Sequence, residues 1–186
     1  MTFGVNQYVA LLRGINLGKR RIKMEQLCAL FEEMKFGDVR TFIASGNVIF
    51  ESKAKDEVKL AVMIEAHLGK SLGYEVDTFV RTRAEMAAAA GFSAFSTDEM
   101  EAPENTLNVS FLKTDLTHQQ AQGLLACGTE VDEFQVNGRE FYWLCRVRSS
   151  DSKVWTTPQM RSLNLPTATM RNLTTVRKIA ALYPAS

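Results

Sequence analysis

Histidine is almost missing from this chain. There are two, His67 and His118, and neither belongs to a HExxH or similar spacing. Both fall in segments with helical periodicity and read as ordinary helix residues. Cysteine is also scarce. Cys28, Cys127 and Cys145 are odd in number, far apart and form no CxxC pair. That pattern argues against a disulfide framework and against a zinc site, and it fits a reducing cytoplasm. No apolar run approaches the roughly eighteen residues that a membrane helix needs. The N-terminus lacks a basic start, a long apolar stretch and a small-residue cleavage site, so neither a membrane span nor secretion is expected. Several enzyme loops are absent too: there is no GxxxxGK[ST], no GxGxxG and no GxSxG elbow. The adjacent acids Glu32-Glu33 and Asp132-Glu133 have no distinguishing spacing. No catalytic residue is assigned, and no cofactor or metal is expected.

What is present describes a globular body. Apolar residues make up 46% and charged residues 23% of 186, a balance that excludes a disordered chain. The length suits one ordinary domain or two small ones. Net charge is +1, which alone predicts no polyanion partner, but the charges are unevenly spread. Residues 13–23 hold Arg13, Lys19, Arg20, Arg21 and Lys23 with no acid. From Arg146 onward come Arg148, Lys153, Arg161, Arg171, Arg177 and Lys178 against the single acid Asp151. Between Asp98 and Glu140 the sign reverses, with nine acids against Lys113 and Arg139. Two basic faces and one acidic face follow if these blocks segregate in space, and ordinary solvation of the surface is the competing reading.

Periodicity then orders the chain. The run 7–14 (QYVALLRG) reads as a buried strand closed by Gly14, and INLGKRRIK as a loop. Met24, Leu27, Leu30, Phe31 and Met34 share one helical face, ended by Gly37-Asp38. VRTFIA and NVIFES flank a short Ser45-Gly46 turn as a hairpin. A helix over about 55–70 carries Ala61, Ile64, Leu68 and Leu72, stops at Gly73, and leads into the strand YEVDTFVRT. A short alanine-rich helix over about 83–90 follows, and SAFSTDEMEAPENT reads as a connection. The order then repeats. TLNVSFLKT is a strand. Thr117 and Gln120 fit a capping box for a helix running to Cys127. Asn137-Gly138 predicts a type I′ hairpin between EVDEFQV and REFYWLCRV. A last helix is expected from about Thr169, carrying Leu173, Val176, Ala180 and Tyr183, and no fourth strand of the second half is visible.

Strand, helix, strand, strand, helix, strand is the split βαβ order. The predicted fold class is therefore α+β, two tandem ferredoxin-like (α-β plait) units. The first spans 1–82, a helix and connection span 83–105, and a second, incomplete unit with a C-terminal helix spans 106–186. Apolar residues fall at odd and even positions of the strands, so both faces of each sheet should be covered. The halves are expected to pack as one two-lobed body.

Three segments, YVALLRGINLGKRRIKM, TFIASGNVIFES and TATMRNLTTVRKIAAL, together resemble the bacterial family catalogued as domain of unknown function 1697. The resemblance spans about Tyr8 to Leu182 and implies a tandem α-β plait. It implies no activity. The aromatic residue that the family usually carries after its RN pair is Leu173 here.

The strongest candidate site is the loop Arg13–Lys23. Gly14 and Gly18 permit backbone conformations closed to other residues, so N–H groups can converge on one point. Arg13, Lys19, Arg20, Arg21 and Lys23 supply charge, and the loop feeds a helix N-terminus. Asn16 adds an amide. Ser45 and Asn47 flank Gly46 at the hairpin tip, where tight-turn chemistry alone also explains them. Arg171 and Asn172 fall near the start of the last helix, where a base opposes the dipole unless an anion is close. These residues predict a binding protein for a phosphate-bearing ligand, a nucleotide or nucleic acid. Two other classes compete. One is a small enzyme clamping an anionic substrate with Arg13, Asn16, Ser45, Asn47 and Asn172. The other is an adaptor whose acidic segment docks a basic protein. REFYWLCRV is similar to an aromatic RNA-binding strand, but Glu140 and Tyr142 stand where that motif wants small residues. Phe141 and Trp143 are expected to fill the interface between the lobes instead.

Overall fold

The computed structural model describes residues 4–18, 20–43 and 46–182. The chain divides into two compact units, the first through Ala87 and the second from Ala88. Each is an α+β unit built on one four-stranded antiparallel sheet.

In the first unit the apolar run becomes β1 (Asn6–Leu12), which pairs with β3 (Asn47–Ser52) on one side and β4 (Thr78–Thr82) on the other. β2 (Gly37–Thr41) joins the outer side of β3, giving the order β2-β3-β1-β4. Two helices, α1 (Met24–Glu33) and α2 (Glu57–Leu72), bury Leu27, Phe31, Leu60, Ile64 and Leu68. These share one core with Tyr8, Ala10 and Leu12, every second residue of β1, so both helices lie on the same face of the sheet. Phe50 centres that core, with the Phe36 ring at 4.4 Å and the Phe31 ring at 5.6 Å. Val9, Leu11 and Phe79, on the opposite face, are buried as well, as the missing alternation predicted.

Two boundaries differ from the expected ones. α1 ends earlier than Gly37, because Lys35 takes a left-handed φ of 65° and Gly37 already belongs to β2. The hairpin loop is longer than a Ser-Gly turn: β2 stops at Thr41 and the Phe42 N–H donates to the Asn47 carbonyl at 3.0 Å.

α3 (Arg83–Gly91) crosses the division between the units. The polar stretch after it, expected as a plain connection, contains α4 (Thr97–Glu101). Ser96 and Glu99 close a capping box there, and side-chain caps stabilise a helix without needing apolar periodicity.

The second unit runs β5 (Thr106–Leu112), α5 (His118–Leu125), β6 (Asp132–Asn137) and β7 (Glu140–Cys145). A 3₁₀ turn (Val154–Thr156), α6 (Pro158–Ser162), β8 (Ala168–Asn172) and α7 (Leu173–Ala181) follow. Its strand order is β6-β7-β5-β8, the same permutation as in the first unit. The unit is therefore not short of a strand. β8 pairs with β5, and α7 starts four residues later than predicted. The strand is hard to read because it is short and its two fully buried positions are the polar Thr169 and Arg171, while Ala168 and Met170, which pack on the core from the other face, are only partly buried.

The β6–β7 turn also differs. Asn137 pairs with Glu140, and the turn is centred on Gly138 and Arg139 with positive φ at Gly138 alone, the II′ pattern. Phe141 and Trp143 belong to the second unit's own core, with Leu112, Leu124, Phe134 and Met160. Trp155 meets Trp143 edge-on at 5.3 Å. Among the described residues no helix is long and apolar enough to cross a membrane.

Candidate functional site

β1 delivers the chain into the loop 13–23. The Arg13 N–H donates to the Asp77 carbonyl at 2.9 Å. Its guanidinium reaches the Asp77 carboxylate at 3.5 Å with the side chain 55% exposed, too open a contact to hold it. Gly14 and Gly18 adopt φ of 71° and 61°, the left-handed region expected of them. Ile15 and Ile22 are buried and anchor the two ends of the loop in the core. Between them the Arg20 N–H donates to the Leu17 carbonyl at 3.0 Å. Arg21 Nη1 donates to the carbonyls of Asn16 at 3.1 Å and Arg20 at 2.7 Å. The Asn16 Oδ1 accepts the Ile22 N–H at 2.8 Å. Arg20 places its guanidinium carbon 4.3 Å from the centroid of the Tyr74 ring. The Tyr74 hydroxyl in turn donates to the Ile15 carbonyl at 3.3 Å. These ties hold the described residues of the loop together, with Arg13, Leu17, Arg20, Arg21 and Lys23 exposed on it. Lys19 lies outside the described residues.

The loop ends on α1, whose N-cap Lys23 is extended and makes no side-chain hydrogen bond to the first turn. By contrast Asp56, Thr117 and Asn172 cap α2, α5 and α7 with side-chain oxygens. The first N–H groups of α1 therefore meet no N-cap oxygen, at the positive end of the helix dipole. Glu25 is the acid of that turn.

Gly46, which leads into β3, lies beside this loop. The Leu12 N–H donates to the Gly46 carbonyl at 2.8 Å. A Cβ on Gly46 would stand 2.8 Å from Ile15 Cγ2 and 3.1 Å from the Leu12 carbonyl oxygen. With φ at 75°, glycine is required there for both space and conformation. Asn47 is fully buried, and its Nδ2 donates to the Phe42 carbonyl at 3.0 Å. It closes the hairpin. Ser45 lies outside the described residues.

Arg171 and Asn172 belong to the second unit and stand at the start of α7, Arg171 on the preceding strand and Asn172 at the N-cap. Arg171 is on β8, 9% exposed, and Nη1 donates to Thr169 Oγ1 and the Met170 carbonyl, both at 2.8 Å. Burial pushes its pKa down to about 10. Asn172 is the N-cap of α7, its Oδ1 accepting the Thr174 N–H at 2.9 Å. Asn16, Asn47 and Asn172, three of the residues proposed as clamps on a substrate, thus bond to nearby backbone.

A second buried arginine was missed. Arg81 on β4 is 1% exposed, lies opposite Val9, and donates to the Val80 carbonyl at 2.9 Å. Arg171 lies opposite Val109 in the same position of the second sheet. The signal was an internal repeat, TFVRT before α3 and ATMRN before α7. The repeat also isolates what differs. In the first unit the eleven residues 13–23 link the first strand to its helix, whereas in the second the five residues 113–117 make the same link.

Residues 5–142 match the family described as protein of unknown function DUF1697. The chain belongs to that family. The loop 13–23 and the hairpin around Gly46 lie inside the matched stretch, and Arg171 and Asn172 lie beyond it. Among solved structures the chain is similar to a conserved bacterial protein, SP0830 from Streptococcus pneumoniae. The two are 19% identical, 96% of this chain and 98% of that one are covered, and the TM-score is 0.74. At that identity the likeness concerns the fold. No curated protein matches this chain.

Proposed function

We propose that the protein binds a phosphate-bearing ligand, a nucleotide or nucleic acid, through the loop 13–23 of its first unit. Arg13, Arg20, Arg21 and Lys23 are the cationic contacts in this reading, and Lys19, of the same sequence segment, adds its charge. Gly14 and Gly18 shape the backbone, and the N–H groups at the start of α1 face the anion. One observation carries the reading. The second unit joins its first strand and helix with five residues capped by Thr117, so the fold does not need eleven residues rich in arginine and lysine. A loop longer than its fold requires, exposed and preorganised, is the usual setting of a binding function. Asn16 supports its shape through the Ile22 N–H, Asn47 closes the hairpin at Phe42, and Arg171 and Asn172 are left out because they belong to the second unit.

As part of the same reading each unit is a ferredoxin-like α-β plait. The support is the strand order with the last strand beside the first, and in the first unit both helices on one face. The protein is placed in the bacterial cytoplasm, which suits three free cysteines.

The test uses the whole chain, with pyrophosphate, ATP and a short oligonucleotide as probes in calorimetry or anisotropy. Binding of at least one is expected, weakened by Arg13→Ala combined with Lys23→Ala and falling as salt rises. Failure of all three probes at low salt rejects the reading.

A further inference from the structure

We propose that the partner of the β1–α1 loop is single-stranded nucleic acid, its phosphates held along the loop and a base stacked on Arg20. This rests on the anion-binding reading above and specifies which phosphate-bearing partner is meant. Three features of the loop carry it.

The cations face outward. Arg13, Arg20, Arg21 and Lys23 are all exposed along one loop. A mononucleotide site is concave and buries most of its ligand, whereas several exposed cations on one loop suit successive phosphates of a strand.

Arg20 lies over Tyr74 while remaining exposed. The ring holds the guanidinium by cation–π attraction while Arg20 as a residue stays exposed to solvent. Guanidinium and aromatic planes are the surfaces on which unpaired bases stack.

Leu17, 68% exposed, stands among these charges. An apolar side chain there meets a base rather than a phosphate. Bases present their faces only when unpaired, so the surface favours a single strand over a duplex. An anionic lipid surface would share the phosphates, but its headgroups have no plane for the Arg20–Tyr74 stack to meet.

Fluorescence anisotropy on the full chain separates these cases. The probes are a labelled oligothymidine, an abasic strand of equal length, a duplex, ATP as competitor, and phosphatidylserine–phosphatidylcholine vesicles. Oligothymidine should bind about tenfold more tightly than the abasic strand, the size of one stacked base. Arg20→Lys keeps the charge and removes the plane, and should remove most of the preference for oligothymidine, leaving the share that Leu17 supplies. Leu17→Ser, at an exposed position, should reduce the same preference without affecting folding. Equal binding of both strands by the wild type overturns the stacked base. ATP binding with no gain for a strand, or a preference for duplex or vesicles, overturns the single-stranded partner and leaves anion binding standing. Silence from every probe rejects both.

Discussion

The Arg20 guanidinium lies over the Tyr74 ring at 4.3 Å, and the Tyr74 hydroxyl donates to the Ile15 carbonyl at 3.3 Å. One tyrosine thus ties the middle of the basic loop to its start. Tyr74→Phe keeps the ring and removes the hydroxyl, so it should leave the loop in place at a cost of about 0.5–1.5 kcal/mol. Tyr74→Leu removes the ring that holds Arg20 and should add about 0.5–1 kcal/mol, the usual size of an exposed cation–π contact. Urea unfolding of the two variants and of Arg20→Ala in each background measures the coupling. A coupling near zero would mean that the stack does not order the loop.

Gly46→Ala should destabilise the first unit more than Gly18→Ala. Both positions have left-handed backbones, worth about 1–3 kcal/mol of strain for alanine. Only at Gly46 does the new methyl meet Ile15 and the Leu12 carbonyl; at Gly18 nothing lies within 4 Å. Equal shifts in urea midpoint would remove the packing argument. The larger effect at Gly46 should also weaken the proposed phosphate binding, since Ile15 anchors the start of the loop.

Acid should loosen the second unit through Glu99. The Arg146 guanidinium, and then the Ser96 hydroxyl, hold its carboxyl below the ordinary value of 4.5. A depressed carboxylate stabilises the fold above its unfolded pKa, and that contribution disappears as pH falls through the lower folded value. The urea midpoint of Glu99→Gln should therefore change less between pH 5 and pH 3 than that of the wild type. Parallel pH curves would exclude Glu99 as the titrating group.

Asp132 is 2% exposed and collects three donors. Oδ1 accepts the Trp143 indole N–H and the Ser152 hydroxyl, both at 2.8 Å, and Oδ2 accepts the Thr129 hydroxyl at 2.9 Å. Asp132→Ala leaves the buried indole without its acceptor and should cost about 1–3 kcal/mol, with Asp132→Asn costing less. Denaturant unfolding followed by tryptophan fluorescence reads both.

Legibility in the sequence followed side-chain chemistry. Strands with apolar sides, such as β1 and β7, were visible, as were helices with clean stripes or caps, such as α2 and α5. β8 was hidden because Thr169 and Arg171 fill its buried positions, and α4 because its stability comes from Ser96 and Glu99. The loop 13–23 stood out by its glycines and bases. What its polar side chains do was not legible. Asn16 and Asn47 look like ligand groups in a list of residues, and only coordinates show them bonded to backbone. Thr169 and Asn172 are both residue types that cap helices, so the sequence does not distinguish a start at Thr169 from the one at Asn172, and Arg171 between them falls on β8.

The strand order has a consequence for how the chain is made. In each unit the last strand to be synthesised pairs with the first, β4 with β1 and β8 with β5. Neither sheet can close until its final strand is available, because such distant pairings come late and slowly. The first unit has its whole set by Thr82, while the second must wait until Asn172 has been made. A ribosome stalled midway would therefore carry a finished first sheet followed by an open one, whose β5 still lacks a neighbour on one edge.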